Sequence, residues 1–600
     1  MAKRIADPFG LTADEIHALI SGGKSLFPEL DAARKDPKAL LSLPATKAML
    51  ADSEAAMKDI AHIPQTTYTP ASLFVLTGDR EQYEEPYFAK RAKLAAAAVR
   101  LFLGQTGLRD IVQDYIWNIC EETTWVLPAH LGRPIDLFSA ETAYNLAETL
   151  YLLGDTLDVE IRARVLREVE ARIFQPYLQW HRFMHWYTTP MNWNGVCNSS
   201  VAATFLLLDP ERRRAAKAVE IALAGLRVFV DTAFEEDGTS TEGVGYWEYG
   251  LLNFIPLAEM LRSASGGAID LLHTKRMRLI AAYPSKILLS PGHFMSFSDS
   301  HEESTFNPGN VARLAERTGD LALPALLSMS ERGEWRLNML LRNMLWWDGS
   351  KPTDIPIDDA FLPAGAIARV VAGTPAGAAV TVAVKAGHND VPHNNNAIGT
   401  FMVHVDGESL LTDPGAGLYT RQYFSDERYQ NVFCNSYGHS VPRVGGQLQP
   451  EGRQYGGKIR MDAGGAAKKV TVDFTHAYAV KNMKSARRQI TLASEGNDAG
   501  TVLLQDDFSF SGKPVDVEEA FITWDEAEVK GAIALIHGKR HALKLTIEAP
   551  AGAQFSLECL EKESKENAKP QVLKRLAFVM PAAATQQARL RMEVVANKAS

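Results

Sequence analysis

The sequence predicts an α+β multidomain chain, an N-terminal (α/α) toroid of paired helices followed by a C-terminal antiparallel β-sandwich. Three observations predict it. Helical periodicity runs through roughly the first 345 residues, a Pro-, Gly- and Asp-rich stretch follows, and from Val370 onward short alternating runs succeed one another without helices between them. The expected bounds are 1–350 for the helical domain, 351–369 for a linker and 370–600 for the sandwich.

The helical part is typified by DLFSAETAYNLAETLYLLGD. Asp136 can cap its N-terminus, Ala143, Leu146, Ala147 and Leu150 fall on one face at i, i+3, i+4, i+7, and Gly154 supplies a C-terminal stop. Similar stretches are expected to begin near Lys93, Val159, Asn192, Glu211, Val244 and Ile269. No strict short repeat is visible, which disfavours the familiar solenoid families. The stretch WWDGSKPTDIPIDDAFLPAGA reads as the connection between domains. Beyond it, Leu543, Leu545 and Ile547 alternate with polar positions, and Asp406-Gly407 predicts a turn between two β-prone runs.

Bulk properties narrow the class. Six hundred residues exceed the size at which one core keeps growing, and 46% hydrophobic with 22% charged residues is ordinary globular usage. A net charge of −9 gives no nucleic-acid footprint, so an acidic partner would need a local basic cleft. No apolar run is long enough to span a bilayer, and neither a nucleic acid nor a membrane is an expected partner. Asp7, Pro8, Asp14 and Glu15 interrupt any signal-like apolar stretch, and the four cysteines are sparse and lack CxxC spacing. The expected location is cytoplasmic, or periplasmic if a leader has been removed. Oligomeric state is not legible.

Chemistry concentrates in three stretches. In Met191–Ser200, Asn192, Asn194 and Asn198 can cap a helix. With Trp193 they also form a carboxamide set able to hold a sugar carboxylate and stabilise the enolate left when its α-proton departs. In Glu236–Gly250, a Gly-rich turn carrying Glu242 leads into Tyr246, Trp247 and Tyr249. Those rings are either core aromatics at helical spacing or stacking faces for pyranose rings, and a Tyr hydroxyl can transfer protons. In Lys385–Phe401, two histidines and four asparagines crowd a loop before a strand, and His393 beside Asn394–Asn396 reads as a site. Asp413 and His439 downstream offer oxygen and nitrogen ligands for a metal.

These motifs together resemble the heparinase II/III-like polysaccharide lyase superfamily, of the alginate and heparin oligosaccharide lyase type. NWNGVCN is similar to its helical-domain motif, DGTSTEGVGYWEYG to its Asp-Gly, Glu and Tyr motif, and PHNNNAIGTFMVHVDGESLLTDPGAGLY to its sandwich-domain His motif. CEETTWVLPAHL, with Glu122, Trp125 and His130, also looks like this group, and the likeness spans roughly Cys120 to Pro442. The resemblance implies an incomplete (α/α) toroid plus sandwich, and β-elimination of a uronic-acid-containing glycan to a 4,5-unsaturated product. Exo attack on an acidic oligosaccharide is the expected mode. Asn192 or Asn194 corresponds to the carboxylate neutraliser. Tyr246 corresponds to the catalytic tyrosine, with Tyr249 as the near alternative, and His393 to the sandwich histidine, as base or carboxylate partner. Trp193, Glu242, Trp247, His130, Trp125, Asn394 and Arg421 are expected to contact substrate. Arg421, Arg428 or Arg443 is expected to supply a cationic field.

One departure matters. The family loop commonly reads His-Asn-His-x-Asp, whereas Asn395 and Ala397 stand here at the second His and the Asp. The resemblance implies a divalent-metal site at Asp413, His439 and Asn395, for zinc or a harder ion; because Asn is a poor zinc ligand, the alternatives are an absent metal, a weakly held one or a harder ion. No organic cofactor is expected. Competing functions are a uronyl epimerase sharing the C5 proton abstraction, a hydrolase pairing Glu242 with Asp237 or Glu248, and a catalytically silent glycan-binding protein.

Overall fold

The computed structural model describes residues 3–327 and 334–597. Helices come first and antiparallel sheets second, which is the expected fold class. The chain divides into two compact units. One comprises Met1–Phe234, Tyr246–Ala282 and Thr305–Thr353, and the other Glu235–Gly245, Tyr283–Ser304 and Asp354–Ser600.

In the first unit, helix Leu137–Leu153 is central and buried nearly all round, as expected of a helix packed on several sides. Its start is a capping box: the Asp136 carboxylate accepts from Ser139 N–H at 2.8 Å and the Ser139 hydroxyl accepts from Asp136 N–H at 2.9 Å. Gly154 ends it at φ 52°. Leu137–Leu153 packs on Glu81–Phe102, Asn192–Leu208 and Leu337–Trp346. Asn192–Leu208 continues to Arg212–Thr232 and Phe254–Ala264, and the latter meets Pro308–Thr318. Gly195 permits one close approach, since a Cβ there would lie 2.5 Å from Gly250 O and 2.9 Å from the Phe229 ring. Expected helix starts at Val159, Asn192, Glu211 and Val244 match within a residue. The helix expected near Lys93 begins at Glu81, and the one expected near Ile269 begins at Lys275, because Ile269, Leu271 and Leu272 are buried in the preceding connection.

Among the described residues, the second unit holds a five-stranded sheet in the order Ala360–Leu362, Ile367–Gly373, Ala379–Lys385, Phe401–Val405 and Glu408–Leu411, all antiparallel. The last pair turns at Asp406-Gly407 with φ 45° and 93°, as a type I′ hairpin requires. A nine-stranded sheet runs from Gly387–Asn389 to Glu526–Lys530 and packs against Ile367–Gly373. Strand Val502–Phe510 alternates buried and half-buried residues along its whole length. A four-stranded sheet centred on Val517–Thr523 and Leu573–Met580 completes the sandwich.

Two expected boundaries are corrected. Residues 351–369 are not a plain linker, because strand Ala360–Leu362 lies inside them and Ile367–Gly373 begins there. Residues 235–245 and 283–304, expected in the helical domain, belong to the sandwich unit. The first is a short turn and the second carries the strand pair Leu288–Ser290 and His293–Phe294 with buried Ile287, Leu289 and Phe297; both join the sheets through long-range packing that local periodicity does not register.

Candidate active site

The loop between strands Gly387–Asn389 and Phe401–Val405 carries His393 in the left-handed region at φ 56°, and Ser298 on a second loop stands at φ 66°. Non-glycine residues held there cost energy and concentrate at functional sites. The two loops are tied directly, since Asp299 N–H donates to His393 O at 3.2 Å and His393 Nδ1 lies 2.9 Å from Asp299 Oδ2. The Tyr419 hydroxyl is 3.2 Å from both Asp299 Oδ2 and His393 Nδ1. Tyr423 donates to Asp299 Oδ1 at 2.5 Å, and Arg428 Nη2 reaches the two carboxylate oxygens at 2.9 and 3.0 Å.

Burial alone would raise the Asp299 carboxyl. The His393 hydrogen bond, the Arg428 charge and the Tyr423 hydroxyl outweigh it and hold the group below the usual carboxylate range. The same carboxylate keeps Arg428 protonated against its burial, while burial and Asp299 together push the Tyr423 hydroxyl far up. An ionised Asp299 only accepts, so the geometry assigns the imidazole proton to Nδ1. His393 Nε2 then faces Glu242 Oε1 at 3.6 Å, with the His393 side chain 12% exposed. Phe424, 55% exposed, stands edge-on to His393 with ring centroids 6.2 Å apart.

The neighbouring asparagines are scaffold. Asn394, expected to contact substrate, is buried. Its amide donates to Asn396 Oδ1 at 2.7 Å, and its carbonyl accepts from Arg428 at 2.8 Å. Arg421 is exposed before the turn Gln422–Phe424, and of the three arginines expected to supply a cationic field Arg428 is the one at Asp299. Arg443 pairs with Glu518.

Asp413 and His439 do meet, with Oδ2 2.9 Å from Nδ1, yet their donors do not fit a metal. Asp413 Oδ2 also accepts from Thr400 at 3.2 Å and Oδ1 accepts from Gly415 N–H at 3.2 Å. His439 Nε2 lies 3.3 Å from Phe433 O. Asn395 Oδ1 accepts from Arg428 at 3.5 Å, a cationic neighbour that disfavours an ion at this oxygen, and its buried Nδ2 has no hydrogen-bond partner. Among the described residues no three His, Cys, Asp or Glu side chains gather to hold an ion.

In the helical unit, Tyr246, Trp247, Glu248 and Tyr249 lie on helix Val244–Leu252. Tyr246 is half-buried. The Tyr249 hydroxyl donates to Glu141 Oε2 at 3.2 Å, and burial plus the Glu141 charge drive it well above the usual phenol range, which suits a donor and disfavours a base. Trp247 and Trp125 are corrected to core residues. Trp247 is 3% exposed with its indole N–H on Ile280 O at 2.8 Å, and Trp125 is 1% exposed with its N–H on Ile119 O at 2.8 Å. Asn194 is corrected likewise: it is fully buried, donates to Tyr187 O at 3.0 Å and accepts from Asn198 at 2.8 Å. Asn192 is the first helical residue after the N-cap Met191, so it does not cap. Trp193 is half-buried and meets His130 at 4.7 Å and His185 at 5.1 Å between ring centroids, with Arg133 over its face at 4.9 Å. His130 is anchored by Asp136 Oδ2 at 2.8 Å. Glu122 sits in a buried ion triad with Lys90 and Arg91. Asp237 is spent on a turn, accepting from Thr239, Ala364 and Gly365 N–H, which removes it from a hydrolytic carboxylate pair.

Sequence reasoning missed Asp299, Tyr419 and Tyr423. The available signals were Ser-Asp-Ser-His after an apolar run, and two tyrosines four apart around Arg421.

No protein-family model matches the chain, and no curated protein matches it. Solved structures do. A heparinase III structure aligns with TM-score 0.63 at 14% identity, covering 87% of this chain and 78% of its own. A second heparinase III aligns with TM-score 0.62 at 13% identity over 98% and 94%. A mutant of the heparan sulfate lyase from Pedobacter heparinus gives 0.61 at 13% over 98% and 93%. The chain therefore has the heparinase II/III-like toroid-plus-sandwich fold.

Proposed function

We propose that the protein is a polysaccharide lyase that cleaves uronic-acid-containing glycans by β-elimination. The observation that carries this reading is the His393–Asp299 pair, oriented at Nδ1 with Nε2 facing Glu242 Oε1 at 3.6 Å, on a fold shared with heparinase III and heparan sulfate lyase structures. Elimination needs a base for the C5 proton, a group that tempers the carboxylate so that this proton becomes acidic, and an acid for the leaving O4. His393 Nε2 takes the C5 proton, and the charge formed on the ring is balanced by Asp299, which Arg428 and Tyr423 keep ionised. Phe424 offers an apolar face for a pyranose ring. On the helical unit, half-buried Tyr246 is the candidate acid for O4, whereas Asn192 is buried, 1% exposed, like Asn194. Asn194 is spent in its buried ladder, and Tyr249 is committed to Glu141.

The test is unsaturated-uronate absorbance on a panel of acidic oligosaccharides, with product sizes reporting the expected exo attack. His393→Ala and Tyr246→Phe should each lower turnover at least about 10²-fold with the fold intact. A product that gains water, or an inverted C5 without cleavage, would replace elimination with hydrolysis or epimerisation.

A further inference from the structure

Beside the His393 pair, the sandwich unit contains a cavity of about 230 Å³ whose chemistry the elimination does not use. It opens where strands Ala379–Lys385 and Gly387–Asn389 meet the returning 235–245 and 283–304 loops. Met295 and Phe297 give it an apolar wall, and Thr239 and Ser240 add polar positions. Three basic residues line it, Lys385, His388 and Arg453, against one carboxylate residue, Glu235. Its volume falls below the usual small-ligand range of about 300–1,000 Å³, the size class of one sugar residue rather than a chain.

The hydrogen bonds leave donors over. Lys385 Nζ donates once, to Ser298 Oγ at 2.7 Å, and no second protein acceptor lies within hydrogen-bond distance among the described residues. His388 Nδ1 accepts from Asp390 N–H at 3.2 Å, which places the ring proton on Nε2, again without a protein acceptor among those residues. The local field agrees: burial, then the Arg453 charge, hold His388 below its ordinary range despite Asp390, with Lys385 adding to the effect. Both donors are half-buried and point to a basic cavity, and an anion is the ligand that satisfies two of them beside a guanidinium.

We infer that this cavity is a subsite for one acidic sugar residue, its carboxylate or sulfate received by Lys385, His388 and Arg453 and its apolar face by Phe297 and Met295. That the anion is carried by a sugar rests on the lyase reading. The anion site itself does not.

The experiment is calorimetric titration of the full chain with glucuronate, glucose 6-sulfate and glucose, run in a His393→Ala background so that binding at the elimination site is suppressed. Glucuronate or the sulfate ester should bind at least about tenfold more tightly than glucose, and the tighter of the two names the anion. Arg453→Glu, at an exposed position, and His388→Ala should each weaken that binding at least about fivefold without moving Tm. Equal affinity for glucose and both anions, or anion binding indifferent to both substitutions, overturns the subsite. Arg453-dependent anion binding by a protein that never yields unsaturated uronate sinks the lyase reading and leaves the anion site standing.

Discussion

Two His–Asp pairs sit in the sandwich unit, and each brings Nδ1 to within 2.9 Å of a carboxylate oxygen. They differ at the other nitrogen. His439 is fully buried and its Nε2 faces the Phe433 carbonyl, while Asp413 is further occupied by Thr400 and Gly415. His393 keeps 12% of its side chain exposed, sits on a strained loop, and turns Nε2 toward Glu242 Oε1 at 3.6 Å. The residue pair alone therefore says little about chemistry. A His–Asp pair suits proton transfer when its ring keeps some exposure and a carboxylate neighbour at the second nitrogen, and acts as a structural clamp when it is sealed between protein groups.

The same substitution in each pair breaks this comparison most sharply. Asp299→Asn should lower turnover by about 10²–10⁴-fold, the scale on which a misassigned imidazole tautomer acts. Asp413→Asn should leave turnover per folded molecule within a few-fold and instead lower stability by about 1–3 kcal/mol, because a buried network loses an acceptor. Absorbance kinetics and denaturant unfolding on both proteins read the two effects. Equal rate losses would erase the distinction.

The contrast also explains what the sequence made legible. Helix-then-strand order, the Asp136 cap and the Asp406-Gly407 turn are local chemistry, and all are present. His393 announced itself by the polar crowding of its loop. Asp299 did not, because residues 283–304 lie within the helical stretch of sequence and join the sandwich only through long-range folding. Asn194 was misread for the opposite reason. Its spacing of four from Asn198 places both carboxamides on one helix face, which is the geometry of a buried ladder as much as of a binding site. Trp125 and Trp247 likewise spend their indole N–H groups on backbone carbonyls inside the core. Polar and aromatic composition marks a stretch as unusual, but what each group is bonded to decides its use.

Two acids sharpen the comparison at smaller amplitude. Asp299 is held down by the His393 hydrogen bond and the Arg428 charge, whereas burial, with Glu334 and Glu141 adding to it against Arg336, pushes Glu248 up to about 7. The folded state thus keeps a proton on Glu248 that the unfolded chain loses near its ordinary 4.5. Its charge carries no penalty below that pH, a growing one as pH rises toward 7, and the full one above. Glu248→Gln should stabilise the protein by about 1–2 kcal/mol at pH 8 and by almost nothing at pH 4, the half-buried position discounting the full shift. Melting curves of both proteins across that range test it, and a gain independent of pH would place the effect in packing.

The smallest expected effect concerns metal, and it follows from the closed pair. If Asp413 and His439 were ligands, stripping the ion would leave a carboxylate and an imidazole without their partner, and metal binding coupled to folding is worth many kcal/mol. Here both carboxylate oxygens and both ring nitrogens already face protein groups, and Asn395 stands next to Arg428, where a cation would be repelled. Chelator treatment should therefore leave Tm unchanged within error, and zinc, manganese or calcium added back should leave both Tm and turnover where they were. Elemental analysis of protein purified without chelator provides the independent measurement. Stoichiometric metal lost together with a drop in Tm, and abolished by His439→Ala, would show that the pair opens to hold an ion and would return His439 to a ligand role.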